Sequence, residues 1–170
     1  MERIIIVPDG IKGKSAYPMG MCGMDKYISK SKIKIIGNQK NIQIKGDLNE
    51  WGCPVCEMII STGKHFTYVK AIIDTGAYHI HVNSNLLKDL NSNCNGEEIH
   101  DNPLYGKQSL EIHNCIYSFK EFPEMYFVSD VRSINYEQSN MIIGTRFITE
   151  FCDLHIYGNK KRFELNVYIK

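Results

Sequence analysis

Alanine is nearly missing from this chain: 3 of 170 residues, against 24 isoleucines and 14 asparagines. Alanine is the best helix former and isoleucine favours strands, so the shortage argues against a helical bundle. An AT-rich genome would leave the same bias. Neither charge is in excess, with 20 Lys and Arg against 19 Asp and Glu and a net charge of +1. That balance gives no electrostatic basis for nucleic acid or an anionic membrane as the main partner. No apolar run approaches the roughly 18 residues of a membrane span. The start, Met1 to Asp9, has too short an apolar run and no small-residue cleavage site for a signal peptide. The expected compartment is therefore the cytoplasm, with Cys22, Cys53, Cys56, Cys94, Cys115 and Cys152 as reduced thiols. Repeats, low-complexity tracts and clear linkers are also lacking, which leaves one domain or one domain with a substantial extension.

What is present is a series of short apolar segments separated by turns. Lys32–Ile36 and Asn41–Lys45 flank Gly37-Asn38-Gln39-Lys40 and predict a hairpin, with Ile33, Ile35, Ile42 and Ile44 on one face. Phe66–Ile73 reads as a strand. Tyr78–Val82 alternates with period two: Tyr78, Ile80 and Val82 on one face, His79 and His81 on a face that lines a groove or meets solvent. Asn83-Ser84 caps a short helix over Asn85–Leu90, and a polar loop follows. Strands return at Ser109–Ile112, Cys115–Phe119, Met125–Val128 and Met141–Ile143. Beyond Gly144, Thr145 caps a helical turn through Phe147, Ile148 and Phe151. His155–Tyr157 and Phe163–Ile169 make a closing hairpin, and the Pro/Gly-punctuated stretch from Gly10 to Gly23 is the least structured part.

One tetrapeptide carries chemistry. Asp74-Thr75-Gly76-Ala77 directly follows the apolar run Val69-Lys70-Ala71-Ile72-Ile73. A carboxylate at the end of a buried strand, followed by Thr and a turn-forming Gly, is the pattern expected of half of a two-carboxylate site. Two carboxylates within hydrogen-bond reach share a proton, one serving as base and the other as acid. The motif occurs once, so the second carboxylate would have to come from a second copy of the chain. Together, Ala71-Ile72-Ile73-Asp74-Thr75-Gly76-Ala77 and Asn140-Met141-Ile142-Ile143-Gly144 resemble the retropepsin-like aspartic proteases, over about Phe66 to Ile169.

The resemblance implies a mostly-β fold: a retropepsin-like acid-protease lobe that is a closed β-barrel with one or two short helices. Residues 66–170 would form this domain, and residues 1–65 a β-rich N-terminal extension packed on it or serving the dimer interface, the cleft or a partner. It implies an aspartic endopeptidase acting on a peptide or protein as a homodimer, with one Asp74 from each subunit and neither metal nor organic cofactor. Thr75 would lock the two active-site loops together across the dimer axis, and Gly76 would allow the tight turn. Ala77, Tyr78 and His79 would lie along the cleft, and Asn102–Gln108 would form the flap, with Tyr105 and Gly106 near its tip. Many family members pair a basic residue after the apolar-apolar-Gly segment with an acidic one two positions past the motif's Gly. Thr145 and Tyr78 stand at those positions here, and Arg146 lies one residue late.

Three alternatives remain open at this point. Asp-Thr-Gly after a strand is also good chemistry for an ordinary turn. The same scaffold without activity would be a peptide- or protein-binding module. Cys53-Pro54-Val55-Cys56 has metal-ligand spacing, but no second such pair exists to complete four zinc ligands, so structural thiols are favoured. The His79/His81 pair likewise has no acidic or histidine partner at a defined spacing.

Overall fold

The computed structural model describes residues 5–6, 33–37, 41–102, 106–135 and 139–168. The apolar segments become strands because their alternate residues find a common interior. In chain order the elements are β1 (Ile5–Ile6), β2 (Lys34–Ile36), β3 (Asn41–Asp47), β4 (Val55–Ser61), β5 (Phe66–Ile73), β6 (His81–Asn83) and α1 (Ser84–Asp89). They continue with β7 (Cys94–Asn102), β8 (Gly106–Phe119), β9 (Tyr126–Ile134), β10 (Met141–Ile143), α2 (Thr145–Phe151), β11 (Cys152–Tyr157) and β12 (Arg162–Tyr168). Six strands close on themselves in the order β9-β6-β10-β5-β4-β8, with β8 pairing back to β9. Within this ring β10 runs parallel to β5 and β6 parallel to β9, and the other pairings are antiparallel.

The barrel interior is filled from every wall. Met58 and Ile60 of β4, Ala71 of β5, Val82 of β6, and Phe127 and Val131 of β9 are completely buried. Helix α2 supplies the plug: Phe147 lies 4.9 Å from Phe127 and 5.5 Å from Phe151, ring centroid to ring centroid. Phe147 and Phe151 are one helical turn apart, so both reach the same apolar interior. Burying each such ring stabilises the fold by up to about 3 kcal/mol.

A second sheet, in the order β11-β12-β3, buries Ile42, Ile44, Phe163, Leu165 and Val167 against the same core. Strands β2 and β1 extend the barrel sheet from β9. The last feature is an arm. The β8–β9 pairing ends where Ile112 faces Arg132, whereas the β7–β8 pairing runs on to Asn102 opposite Gly106. Glu97–Asn102 and Gly106–Glu111 therefore form a two-stranded projection beyond the barrel wall.

Several expectations change. Ile33, just ahead of β2, and Ile35, Ile42 and Ile44 within β2 and β3 are buried, but the two strands are not hairpin partners: β2 pairs with β9 and β3 with β12. Alternation specifies which side of a strand is buried and leaves its partner open. The turn residues 38–40, and the stretch 10–23, lie outside the described residues. The polar segment after α1 is the strand β7, and Ser109–Ile112 and Cys115–Phe119 merge into the single strand β8. A two-sided polar arm shows no apolar period, which hides β7, and the polar step His113-Asn114 interrupts the pattern of β8. The strand expected from Tyr78 begins only at His81. Thr145 is not the cap of α2: that position is Gly144, which makes no side-chain cap bond. By contrast, Asn83 does cap α1, accepting from the Asn85 N–H at 2.9 Å. Strand β4 lies ahead of residue 66, so the closed barrel takes one of its six strands from residues 1–65.

Candidate active site

Asp74 follows the last residue of β5, a strand wedged between β4 and β10. Its N–H donates to the Ile143 carbonyl at 3.0 Å, which extends the parallel β5–β10 ladder by one step. The chain then turns. The Gly76 N–H donates to Asp74 Oδ1 at 2.7 Å, and the Ala77 N–H to the Asp74 carbonyl at 3.3 Å. A Cβ at position 76 would lie 3.1 Å from that Oδ1, so glycine permits the amide to come this close. The other carboxylate oxygen accepts no hydrogen bond from any described residue. The result is a carboxylate fixed through one oxygen and open through the other.

The segment after β10 clamps the turn from behind. Thr145 donates twice to the Ala77 carbonyl, from its N–H at 2.7 Å and from its hydroxyl at 3.0 Å. The Arg146 N–H donates to the Tyr78 carbonyl at 3.1 Å. Gly144 lies against the same backbone: a Cβ there would sit 2.5 Å from the Tyr78 oxygen and closer still to the His79 oxygen. Tyr78 and Thr145 thus hold the loop through backbone and hydroxyl contacts.

The chain is similar to a retropepsin-like aspartic protease from Rickettsia conorii, known from its crystal structure, with a TM-score of 0.55 and 13% identity. The similarity covers 78% of this chain and 97% of that one. The fold is that of a retropepsin-like lobe. No family model matches the chain, and no curated protein does. At 13% identity the likeness shows the fold alone.

The other expected site residues are distributed around the lobe as follows. Asp74 is half-buried, Thr75 and Gly76 are exposed, and the Thr75 hydroxyl makes no hydrogen bond with a described residue. Ala77 and Tyr78 are half-buried. Gly106, with φ +74°, opens β8 at the tip of the arm and is exposed. Tyr105 lies outside the described residues. His79 is buried, its ring packed edge-on against Tyr78 at 4.7 Å and facing inward rather than toward solvent. A groove on the outer wall, lined by Trp51, Val55, Tyr68 and Ile72, contains none of these residues.

Beside His79 lies a cluster that the linear sequence did not reveal. Arg132 of β9 has no exposed surface, and Glu98 of β7 pairs with it. His79 and His81 face this guanidinium. Burial first, and then the positive charges of Arg132 and neighbouring His and Arg side chains, lowers their pKa from 6.5 to about 2 and about 4. Both are neutral in the fold. Below pH 6.5 the unfolded chain takes up protons on them while the folded chain does not, so stability is lost as pH falls from 6.5 toward 4. At pH 5 each histidine accounts for a loss of about 2 kcal/mol. Urea unfolding at pH 7 and pH 5 measures this, and a midpoint that does not fall at pH 5 would contradict it.

The cysteines play another part. Among the described residues Cys53, Cys56, Cys94, Cys115 and Cys152 are free thiols. Cys56 points into the core, and burial pushes its pKa up to about 12. Among the described residues no group of three or more His, Cys, Asp or Glu is arranged to hold a metal ion.

Proposed function

We propose that the chain is a cytoplasmic aspartic endopeptidase that works as a homodimer, each subunit contributing one Asp74. The observation that carries this reading is the clamped turn. Asp74 is tied to Ile143 through its N–H, and Oδ1 is held by Gly76, with Gly144 and Thr145 locked behind the loop. Thr75 and Gly76 lie open on the single lobe, where a second copy would cover them, and Thr75 has a hydroxyl without a hydrogen-bond partner among the described residues for that contact.

Each chemical step follows from two adjacent carboxylates. One is ionised and takes a proton from a bridging water, whose oxygen attacks the scissile carbonyl carbon. The protonated partner gives its proton to the carbonyl oxygen, which yields a tetrahedral diol. Proton transfer to the amide nitrogen then lets the C–N bond break, releasing an acid and an amine, and the dyad is returned with one shared proton. The pair titrates as a unit. The peptide would run as an extended strand past Ala77, Tyr78 and His79, and the β7–β8 arm, with Gly106 at its tip, would close over it as the flap.

Subunit mixing tests the shared dyad. Wild type and Asp74→Asn are combined at fixed total concentration and allowed to exchange before a peptide library is added. If each site needs an Asp74 from both subunits, cleavage falls as the square of the wild-type fraction. A linear fall would assign a complete site to each chain and overturn the shared dyad. Peptide binding without cleavage by the wild type would identify a silent binding module.

A further inference from the structure

The buried ion pair between Glu98 and Arg132 joins two parts of the molecule that the backbone leaves independent. Glu98 faces Leu110 on the arm, beyond the last β8–β9 rung at Ile112 and Arg132. Neither backbone pairing holds the arm to the rest of the lobe at that level. The Glu98 side chain nevertheless retains only 11% of its exposure, while its neighbours Glu97 and Ile99 are exposed. Its Oε2 accepts from Arg132 Nε at 2.8 Å and lies 2.6 Å from Nη2, and its Oε1 is 3.8 Å from His79 Nε2.

The other end of the contact is at the active-site loop. Arg132 donates its N–H to the Ile80 carbonyl and faces His81 across the β6–β9 ladder. Arg132 therefore meets the base of the arm through its guanidinium and the chain that leaves Asp74 through its main chain. Among the described residues Glu98 is the only acidic group paired with Arg132. A buried guanidinium without its counter-charge is strongly unfavourable, so the arm is drawn to the barrel rim by the need to neutralise Arg132. The charges nearest the pair are few. His79 and His81 are neutral, Arg146 pairs with Glu150 at 3.2 Å, and His100 lies two residues along the arm.

We propose that Glu98 is a positioning residue which, by pairing with Arg132 at the barrel rim, sets the angle of the β7–β8 arm over the peptide at Asp74. This role rests on the reading of the arm as a flap. The pair itself is a latch whether or not the chain cleaves peptides.

Glu98→Gln keeps the size of the side chain and removes its charge. Hydrogen exchange of the free protein at pH 7 is the first measurement. Amides of Ile99–Asn102 and Gly106–Leu110 are expected to exchange about tenfold faster, with those of β4, β5 and β10 within twofold of wild type. The second measurement is peptide cleavage, where KM is expected to rise about tenfold with kcat changed less than threefold. Glu97→Gln, an exposed neighbour on the same strand, is expected to alter neither. Unchanged arm exchange would overturn the proposal. So would arm and barrel amides accelerating together, since that marks a pair that only stabilises the fold. If the wild type cleaves nothing, the peptidase reading falls while the exchange experiment still decides the latch. If Glu98→Gln does not fold, Glu98→Asp, which keeps the charge and loses the reach, takes its place.

Discussion

Asp74→Asn is expected to lower kcat/KM by a factor of about 10⁴ or more, equivalent to about 5.5 kcal/mol of transition-state stabilisation. The size of the effect follows from the dimer, because one substitution in the gene removes both carboxylates from the site. No base is then left to take a proton from water, and no acid to give one to the carbonyl oxygen. Asn has the shape of Asp, and its amide oxygen can still accept the Gly76 N–H that Asp74 Oδ1 accepts at 2.7 Å. The turn is therefore preserved, and the melting temperature should stay within a few degrees of wild type. Cleavage and thermal unfolding measured on the same preparations check both halves. Equal cleavage by the two proteins would remove Asp74 from the chemistry.

Gly144→Ala is expected to be the most damaging single methyl group in the lobe. The added carbon would overlap the carbonyl oxygens of Tyr78 and His79, backbone atoms of a loop that Thr145 holds at the Ala77 carbonyl and Arg146 at the Tyr78 carbonyl. A flexible side chain could swing away, but a clamped main chain cannot. The clash has to be relieved by separating β10 from the Asp74 loop, which also breaks the bond from the Asp74 N–H to Ile143. A loss of about 3 kcal/mol or more follows, a fall of roughly 10 °C in melting temperature for a domain of this size, and cleavage should be lost with it. Gly158→Ala is the matched control, because a Cβ there meets nothing within 4 Å. Similar melting temperatures for the two variants would show that the clamp is looser than its geometry.

Much of the lobe was legible in the sequence, for reasons that differ from element to element. β5, β10 and the last hairpin announce themselves as buried strands next to turn residues, and Gly144 marks the end of β10 because only glycine fits there. Helix α1 carries its own cap in Asn83. Of the arm only Ser109–Ile112 was legible as a strand: the rest, Cys94–Asn102 and Gly106–Gln108, pairs within the arm and is mostly polar, with no apolar period to mark it. The site divides in the same way. Asp74 and Gly76 are neighbours in sequence and act through local bonds. Glu98, Arg132 and His79 come from three separate segments, and no spacing rule connects them. His79 shows the limit of alternation most clearly. A histidine out of phase with Ile80 and Val82 was expected to meet a groove or solvent, yet the opposite side of that segment is also interior, filled by a charged pair.

The pairing of β3 with β12 has a consequence for how this molecule is made. Asn41 lies opposite Tyr168, so a strand from before the barrel is completed by the strand that ends the described chain. The barrel ring itself waits for β10 before β5 and β6 can be joined. During synthesis the early strands therefore leave the ribosome with apolar faces and no partners. Ile42 and Ile44 stay uncovered until the closing hairpin arrives. Such long-range closure is slow to form. Until then Ile42 and Ile44 would be exposed to stray edge pairing, a period in which a chaperone would have most to protect.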